Sequence, residues 1–201
     1  MEITIQPLHH STPELLALVA RLHHAVMPTL LSDLGIPFVE RYFQAGAADS
    51  SVIGMVALLP DGRTPCGYVI GCPRPDRLMA QLRSPFLWFV RQILQLLFTR
   101  PSVLLQLVVS ALSIQGQMGE DPSVIEVSYL GISPETRGAG LGEKLMRTFL
   151  DACRQAGYRA VALSVEIENQ AAVAMHKKVG FQVKKAFREG RFNRYRMEIL
   201  L

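Results

Sequence analysis

The stretch Ile125-Glu126-Val127-Ser128-Tyr129-Leu130-Gly131-Ile132-Ser133-Pro134-Glu135-Thr136-Arg137-Gly138-Ala139-Gly140-Leu141-Gly142 decides how this chain folds. Ile125 to Ile132 is rich in β-branched and apolar residues and reads as a strand. A short turn at Ser133-Pro134 follows, and then a loop with glycine at 138, 140 and 142. Glycine takes positive φ without penalty and lets the backbone come close to a ligand. The loop opens a helix, whose first amides carry the positive end of the helix dipole. A strand, a glycine loop and a helix N-terminus in that order make a site for phosphate groups.

Working outward from this stretch, the chain alternates strands and helices on both sides. Met1–Leu8 alternates like a strand. Ser11 or Thr12 caps a helix with Pro13 at its first position, running to about Met27 and stopped by Pro28. A second helical piece spans about Pro37–Ala45. Ser51–Leu59 and Pro65–Cys72 are strands joined by Pro60-Asp61-Gly62-Arg63. After the glycine loop, Leu141, Leu145, Phe149 and Ala152 fall on one helix face, and Arg159–Val165 is the next strand. Asn169 caps a short helix with Ala172, Met175, His176 and Val179 inward, ended by Gly180. Phe181–Phe187 and Phe192–Leu200 close the chain as a hairpin. The order predicts an α/β (mixed α+β) domain covering 1–201.

The bulk properties agree. At 201 residues, with 49% hydrophobic and 19% charged residues, the chain is long and apolar enough for one well-buried core. Its formal net charge of +4 is concentrated in one place. Between Pro73 and Gly119 there are five arginines and one acid, and the rest of the chain is neutral. A basic patch confined to one segment argues against a nucleic-acid surface. The three cysteines, Cys66, Cys72 and Cys153, have no zinc or disulfide spacing, and the N-terminus lacks a signal peptide's pattern. A reducing, cytoplasmic setting is the expectation.

The segment 73–121 stands apart as an insertion between the third and fourth strands. Phe86–Phe98 and Val103–Leu112 are two mostly apolar helical runs, broken by Arg100-Pro101. Each has one narrow polar stripe, so most of each surface needs cover. Neither reaches the ~20 apolar residues of a membrane span. Three readings stay open: a helical hairpin packed on the domain or in a homodimer, a peripheral membrane contact with arginines toward lipid phosphates, and a lid over a substrate pocket.

Three phosphate-binding schemes compete for the glycine loop. A P-loop requires Lys-Ser/Thr after its last glycine, whereas Glu143-Lys144-Leu145 follows Gly142. A dinucleotide fold requires G-x-G-x-x-G early in a βαβ unit, whereas this loop is G-x-G-x-G past mid-chain. The third is coenzyme A held by its pyrophosphate. Here the residues resemble a known family. Arg137-Gly138-Ala139-Gly140-Leu141-Gly142 is similar to the (Arg/Gln)-x-x-Gly-x-(Gly/Ala) signature of the GCN5-related N-acetyltransferases. Asn169-Gln170-Ala171-Ala172-Val173-Ala174-Met175-His176-Lys177-Lys178-Val179-Gly180-Phe181 resembles that family's Asn-x-x-Ala-x-x-x-Tyr-x-Lys-x-Gly-Phe segment. The resemblance covers Ser123–Leu201 well, Met1–Cys72 in layout, and the insertion not at all.

What the resemblance implies is a twisted, mostly antiparallel sheet flanked by helices, splayed beside the glycine-loop strand. It implies an N-acetyltransferase that moves an acetyl group from acetyl-coenzyme A to a primary amine by direct attack, without a metal. The amides of Arg137, Gly138, Ala139, Gly140, Leu141 and Gly142 would hold the pyrophosphate. Leu130, Gly131 and Ile132 would pair with the pantetheine arm, with Asn169 beside it. Glu126, six residues before Ile132, would be the general base. His176 stands where the family places a tyrosine proton donor. Donor and packed helix-face residue are both open readings for His176, as are base and solvent-facing residue for Glu126. Tyr129 points either to an acceptor pocket or to a core. His9-His10 and His23-His24 lack metal-ligand spacing and read as surface or core residues. Lys177, Lys178, Lys184 and Lys185 read as a solvated rim. A small metabolite or sugar amine is the first expectation for the acceptor and a protein amine the second. A non-catalytic acyl-coenzyme A sensor and an acyltransferase acting near the membrane are the alternatives.

Overall fold

The computed structural model describes residues 3–99, 121–190 and 192–201. The expected helix at Val103–Leu112 lies outside the described residues. The strands are β1 (Thr4–Pro7), β2 (Ile53–Leu58), β3 (Pro65–Cys72), β4 (Val124–Ile132), β5 (Ala160–Glu166), β6 (Gln182–Glu189) and β7 (Phe192–Leu200). They form one seven-stranded sheet in the order β1-β2-β3-β4-β5-β7-β6. Every neighbouring pair is antiparallel except β4 with β5.

Helices cover the sheet unequally. On one face lie α1 (Pro13–Val26) and α3 (Ile36–Ala48), linked by the short α2 (Leu30–Asp33). Pro13 starts α1 where its missing N–H is harmless, and the Thr12 hydroxyl accepts the Leu15 amide at 3.3 Å. Leu16, Val19, Ala20 and His23 then recur at helical spacing and are buried. On the other face α6 (Leu141–Gln155) buries Leu141, Leu145, Met146, Phe149, Leu150 and Cys153, and α7 (Gln170–Val179) lies beside it. Two cores result, one on each face. All of β3 is buried, and it reads as a continuous apolar run because both its faces are covered.

Several short elements escaped the sequence pattern, α2 among them. The first strand ends at Pro7, where the chain turns into a 3-10 turn at Leu8–His10. Pro75–Gln81 forms α4, a short helix at the start of the insertion, followed by α5 (Phe86–Thr99). In α5, Trp88, Phe89 and Ile93 pack on the first core, while Phe86, Leu87 and Leu94 are exposed. Among the described residues no helix is long and apolar enough to cross a membrane.

The first core contains a buried polar link between layers. His23 has no solvent exposure; its Nδ1 lies 2.7 Å from the Tyr68 hydroxyl and its Nε2 3.3 Å from Thr29 Oγ1. Its ring meets Tyr129 edge-on at 4.7 Å. Tyr129 therefore belongs to this core, where burial pushes its hydroxyl up to about 12. Burial also drives His23 down to about 4, with His24 adding to the effect.

Because an unfolded histidine titrates near 6.5, stability from neutral His23 is complete above that pH. It is lost as the pH falls toward 4, at up to about 1.4 kcal/mol per unit. Urea midpoints measured from pH 7.5 to 4.5 should fall more steeply for the wild type than for His23→Gln. Parallel curves would remove His23 from this account.

Candidate active site

Strands β4 and β5 pair only over Val124–Glu126 against Ala160–Ala162. Beyond that β4 continues to Ile132 and β5 to Glu166 without pairing to each other, so a wedge opens in the sheet. The cause is visible in the β3 register. Ile70 faces Tyr129 and Gly71 faces Val127, which leaves Ser128 as an extra residue in β4. Such a bulge bends its strand and increases its twist. Leu130, Gly131 and Ile132 therefore present one backbone edge to an open wedge. Gly131 is needed here because a Cβ would sit 2.5 Å from Tyr68 Cε1.

At the end of β4, a 3-10 turn at Pro134–Thr136 carries the chain into the glycine loop. The buried Thr136 hydroxyl holds this turn to β3 through the carbonyl of Cys66 and closes the turn on the carbonyl of Ser133, both at 3.2 Å. Arg137 folds back so that its Nε donates to the Ile132 carbonyl at 3.2 Å. Gly138 and Gly140 take φ of +80° and +76°, and the space where their Cβ atoms would go is open. The amides of Gly138, Ala139, Gly140, Leu141, Gly142 and Glu143 have no backbone acceptor among the described residues. They converge at the N-terminus of α6, where a phosphate finds both donors and a favourable dipole. Leu141 contributes only its amide, since its side chain is buried. Lys178 reaches this end of α6 through its 2.7 Å contact with Glu143, whose carboxyl that bond and the Arg147 bond hold below the usual range.

Asn169 begins α7 and accepts the Ala172 amide on Oδ1 at 3.2 Å, so its side chain caps the helix at the mouth of the wedge. His176 is 6% exposed, lies edge-on to Phe181 at 5.6 Å, and its Nδ1 has no hydrogen-bond partner among the described residues. Burial depresses it to about 4, which makes it a neutral imidazole at pH 7.

Glu126 is the last β4 residue paired to β5, on the face opposite α6. Strict alternation would put Leu130 and Ile132 on its face. The bulge reverses this, and both side chains join the second core with Ile125 and Val127. The Glu126 carboxylate accepts from Arg196 Nη1 on β7, and the two side chains are only 17% and 16% exposed. Arg196 was not legible as a site residue, because it lies 70 positions away and only the β5–β7 register carries it there. Both line a cavity of about 230 Å³ at the closed end of the wedge. All three cysteines are buried, and burial raises their thiols, Cys72 and Cys153 to about 12. None is a ready thiolate nucleophile. Among the described residues no group of His, Cys, Asp or Glu is placed to hold a metal.

With this geometry in view, the comparisons are specific. Residues 108–181 match the family model described as Acetyltransferase (GNAT) family. A stretch of 65 residues is 38% identical to the mycothiol acetyltransferase of Paenarthrobacter aurescens, covering 32% of this chain and 20% of that protein. The chain thus spans about a fifth of the length of the curated relatives it matches first. Across its whole length it is similar in fold to Arabidopsis thaliana NAA60 in complex with acetyl-CoA (TM-score 0.65, 13% identity, covering 100% of this chain and 99% of that one). The ribosomal-protein-S18-alanine N-acetyltransferase from Escherichia coli is also similar (TM-score 0.61, 14% identity, 99% and 94% covered).

The glycines separate by conformation. Gly140→Ala forces a side chain into left-handed backbone and should lower stability by about 1–2 kcal/mol. Gly142 is helical, and a Cβ there meets Ile132 and Met175 at an ordinary 3.9 Å. Gly142→Ala should therefore leave stability unchanged or raise it by up to about 1 kcal/mol. Urea denaturation of the two variants checks the contrast.

Proposed function

We propose, since residues 108–181 match the GNAT acetyltransferase family model, that this chain is an acetyl-coenzyme A-dependent N-acetyltransferase acting on a primary amine. The observation that carries this reading is the conjunction of the free amides at residues 138–143 with the unpaired β4 edge leading to Glu126. The amides of Gly138 to Glu143 hold the pyrophosphate; the Arg137 amide expected to join them is instead bonded to the Pro134 carbonyl at 3.3 Å. The edge at Leu130–Ile132 takes the pantetheine arm, and Asn169 closes the mouth. One acetyltransferase domain spans 1–201, with the 73–121 insertion at its side.

The chemistry follows from the residues at the wedge. An ammonium must lose a proton before it attacks a thioester, and Glu126 takes that proton directly or through water. A backbone amide of the open β4 edge donates to the carbonyl oxygen as negative charge develops there. An amide bond forms as the nitrogen releases its second proton to solvent, the carbon–sulfur bond breaks, and the sulfur leaves with its electron pair. His176, neutral through burial, donates a hydrogen bond to that sulfur, whose proton comes from solvent. Attack is direct, because no cysteine is activated.

A small metabolite amine remains the first acceptor class and a protein amine the second. A cytoplasmic setting is consistent with three unpaired, buried cysteines. The exposed Phe86, Leu87 and Leu94 on α5, flanked by exposed Arg83 and Arg91, support a contact surface on the insertion. Sedimentation with and without anionic liposomes assigns that surface to a second copy or to a bilayer.

Incubation with acetyl-coenzyme A and an amine panel should release free thiol. Glu126→Gln should lower kcat by about 10²-fold or more, with little change in the KM for acetyl-coenzyme A. Coenzyme binding without turnover across a wide panel, unchanged in Glu126→Gln, would sink the enzymatic reading in favour of a sensor.

A further inference from the structure

The cavity at the closed end of the wedge has a charge pattern that selects among amines. It is bounded by Glu126 and Val124 of β4, by Arg196 and Glu198 of β7, and by Asp121 and Arg159. Pro73 and Pro75 complete it, so both stems of the insertion, at residues 73–75 and at 121, form its wall. Its volume of about 230 Å³ is below the ~300–1,000 Å³ of pockets that enclose drug-sized ligands.

Every charge in this cavity has a partner. Glu126 is bonded to Arg196, Asp121 to Arg159 at 2.7 Å, and Lys184 approaches Glu198 at 3.9 Å. The lining itself thus holds three carboxylates and two guanidiniums, and its one excess carboxylate, Glu198, is met only by Lys184 from outside the lining. The pair at the centre is the most enclosed, with Glu126 and Arg196 each more than four-fifths buried. If Glu126 is to receive an ammonium group, it must loosen its bond to Arg196. A bare amine would then leave the guanidinium enclosed and unpaired, which is unfavourable. An acceptor that brings its own carboxylate restores the pairing: its ammonium faces Glu126 and its carboxylate takes both N–H groups of an Arg196 fork. Because Glu126 and Arg196 touch, the acceptor's two charges must lie only a few bonds apart.

We infer that this cavity is the acceptor pocket and that it selects an amine carrying a neighbouring carboxylate, an α- or β-amino acid, through Glu126 and Arg196. The inference rests on the acetyltransferase reading and narrows its substrate class. Arg196 is then the specificity-determining residue, and the stems of the insertion limit the size of what enters.

The test uses thiol release at saturating acetyl-coenzyme A, with free amino acids compared against their carboxamides, a linear polyamine, glucosamine and a tripeptide. The expected result is a kcat/KM for the best amino acid at least 10-fold above that for its own carboxamide. In Arg196→Met that ratio should fall to about one, and Arg196→Lys should restore part of it, while the KM for acetyl-coenzyme A stays unchanged. The ratio is read within each variant, so a general loss of activity does not disturb it. Turnover of carboxamides, polyamine or peptide equal to or above that of amino acids overturns the inference and leaves the acetyltransferase reading standing. If no amine is turned over, calorimetric titration with the same amino acids decides. Binding that is lost in Arg196→Met upholds the site and overturns the enzyme; no binding overturns both.

Discussion

The separation of β4 from β5 after Glu126 and Ala162 is the constraint on which the rest of this structure depends. A parallel pair inside a sheet would ordinarily continue, since each unmade ladder bond leaves donors and acceptors without partners. Here the extra residue at Ser128 bends β4 away while β3 keeps pairing on its other side. The sheet survives because β5 transfers its own pairing to β7 along its whole length, from Ala160 with Leu200 to Glu166 with Arg194. What remains is a wedge lined by backbone that wants hydrogen bonds. A ligand rich in amides and carbonyls can supply them.

The same bulge sorts the side chains. Ile125, Val127, Leu130 and Ile132 join the core beneath α6 and α7, whereas Glu126 and Tyr129 face the other way. On that other face α1 and α3 cover only part of the sheet, with their core built around β2 and β3. The start of β4 and its neighbours β5 and β7 are left open to a polar cavity. The side of the wedge that meets the glycine loop is apolar and built on rigid helices. The opposite side, at Glu126 and Arg196, is charged and bounded by the stems of the insertion. One bend in one strand thus divides the wedge into an apolar side and a charged side.

The glycine loop was legible because its requirements are local. Positive φ at residues 138 and 140 demands glycine, and the helix that follows announces itself by Leu141, Leu145 and Phe149. Asn169 and Gly180 were legible as the two ends of α7 for the same reason: a cap is a local hydrogen bond, and a left-handed stop is a local dihedral. Glu126 could be picked out only through the family resemblance, by its place six residues before Ile132. Its bond to Arg196, the link from His23 to Tyr68, and the anchoring of Thr136 on Cys66 could not. Each joins residues 45 to 70 positions apart, and no periodicity or spacing carries that information. Strict alternation along β4 would put Leu130 and Ile132 on the face opposite the one they take, because a bulge leaves no mark in an apolar run.

The sequence by itself determined the order of most strands and helices, the glycine loop that opens a helix, and the two ends of α7. These follow from backbone preferences and from apolar periods of two and 3.6 residues, which act within a few positions. Only the tertiary structure decided where the sheet opens, that His176 is buried and neutral, and which charges surround Glu126. Register across strands fixes the first and third, and enclosure by neighbouring elements fixes the second. Both arise from contacts between residues that the chain keeps far apart until it folds.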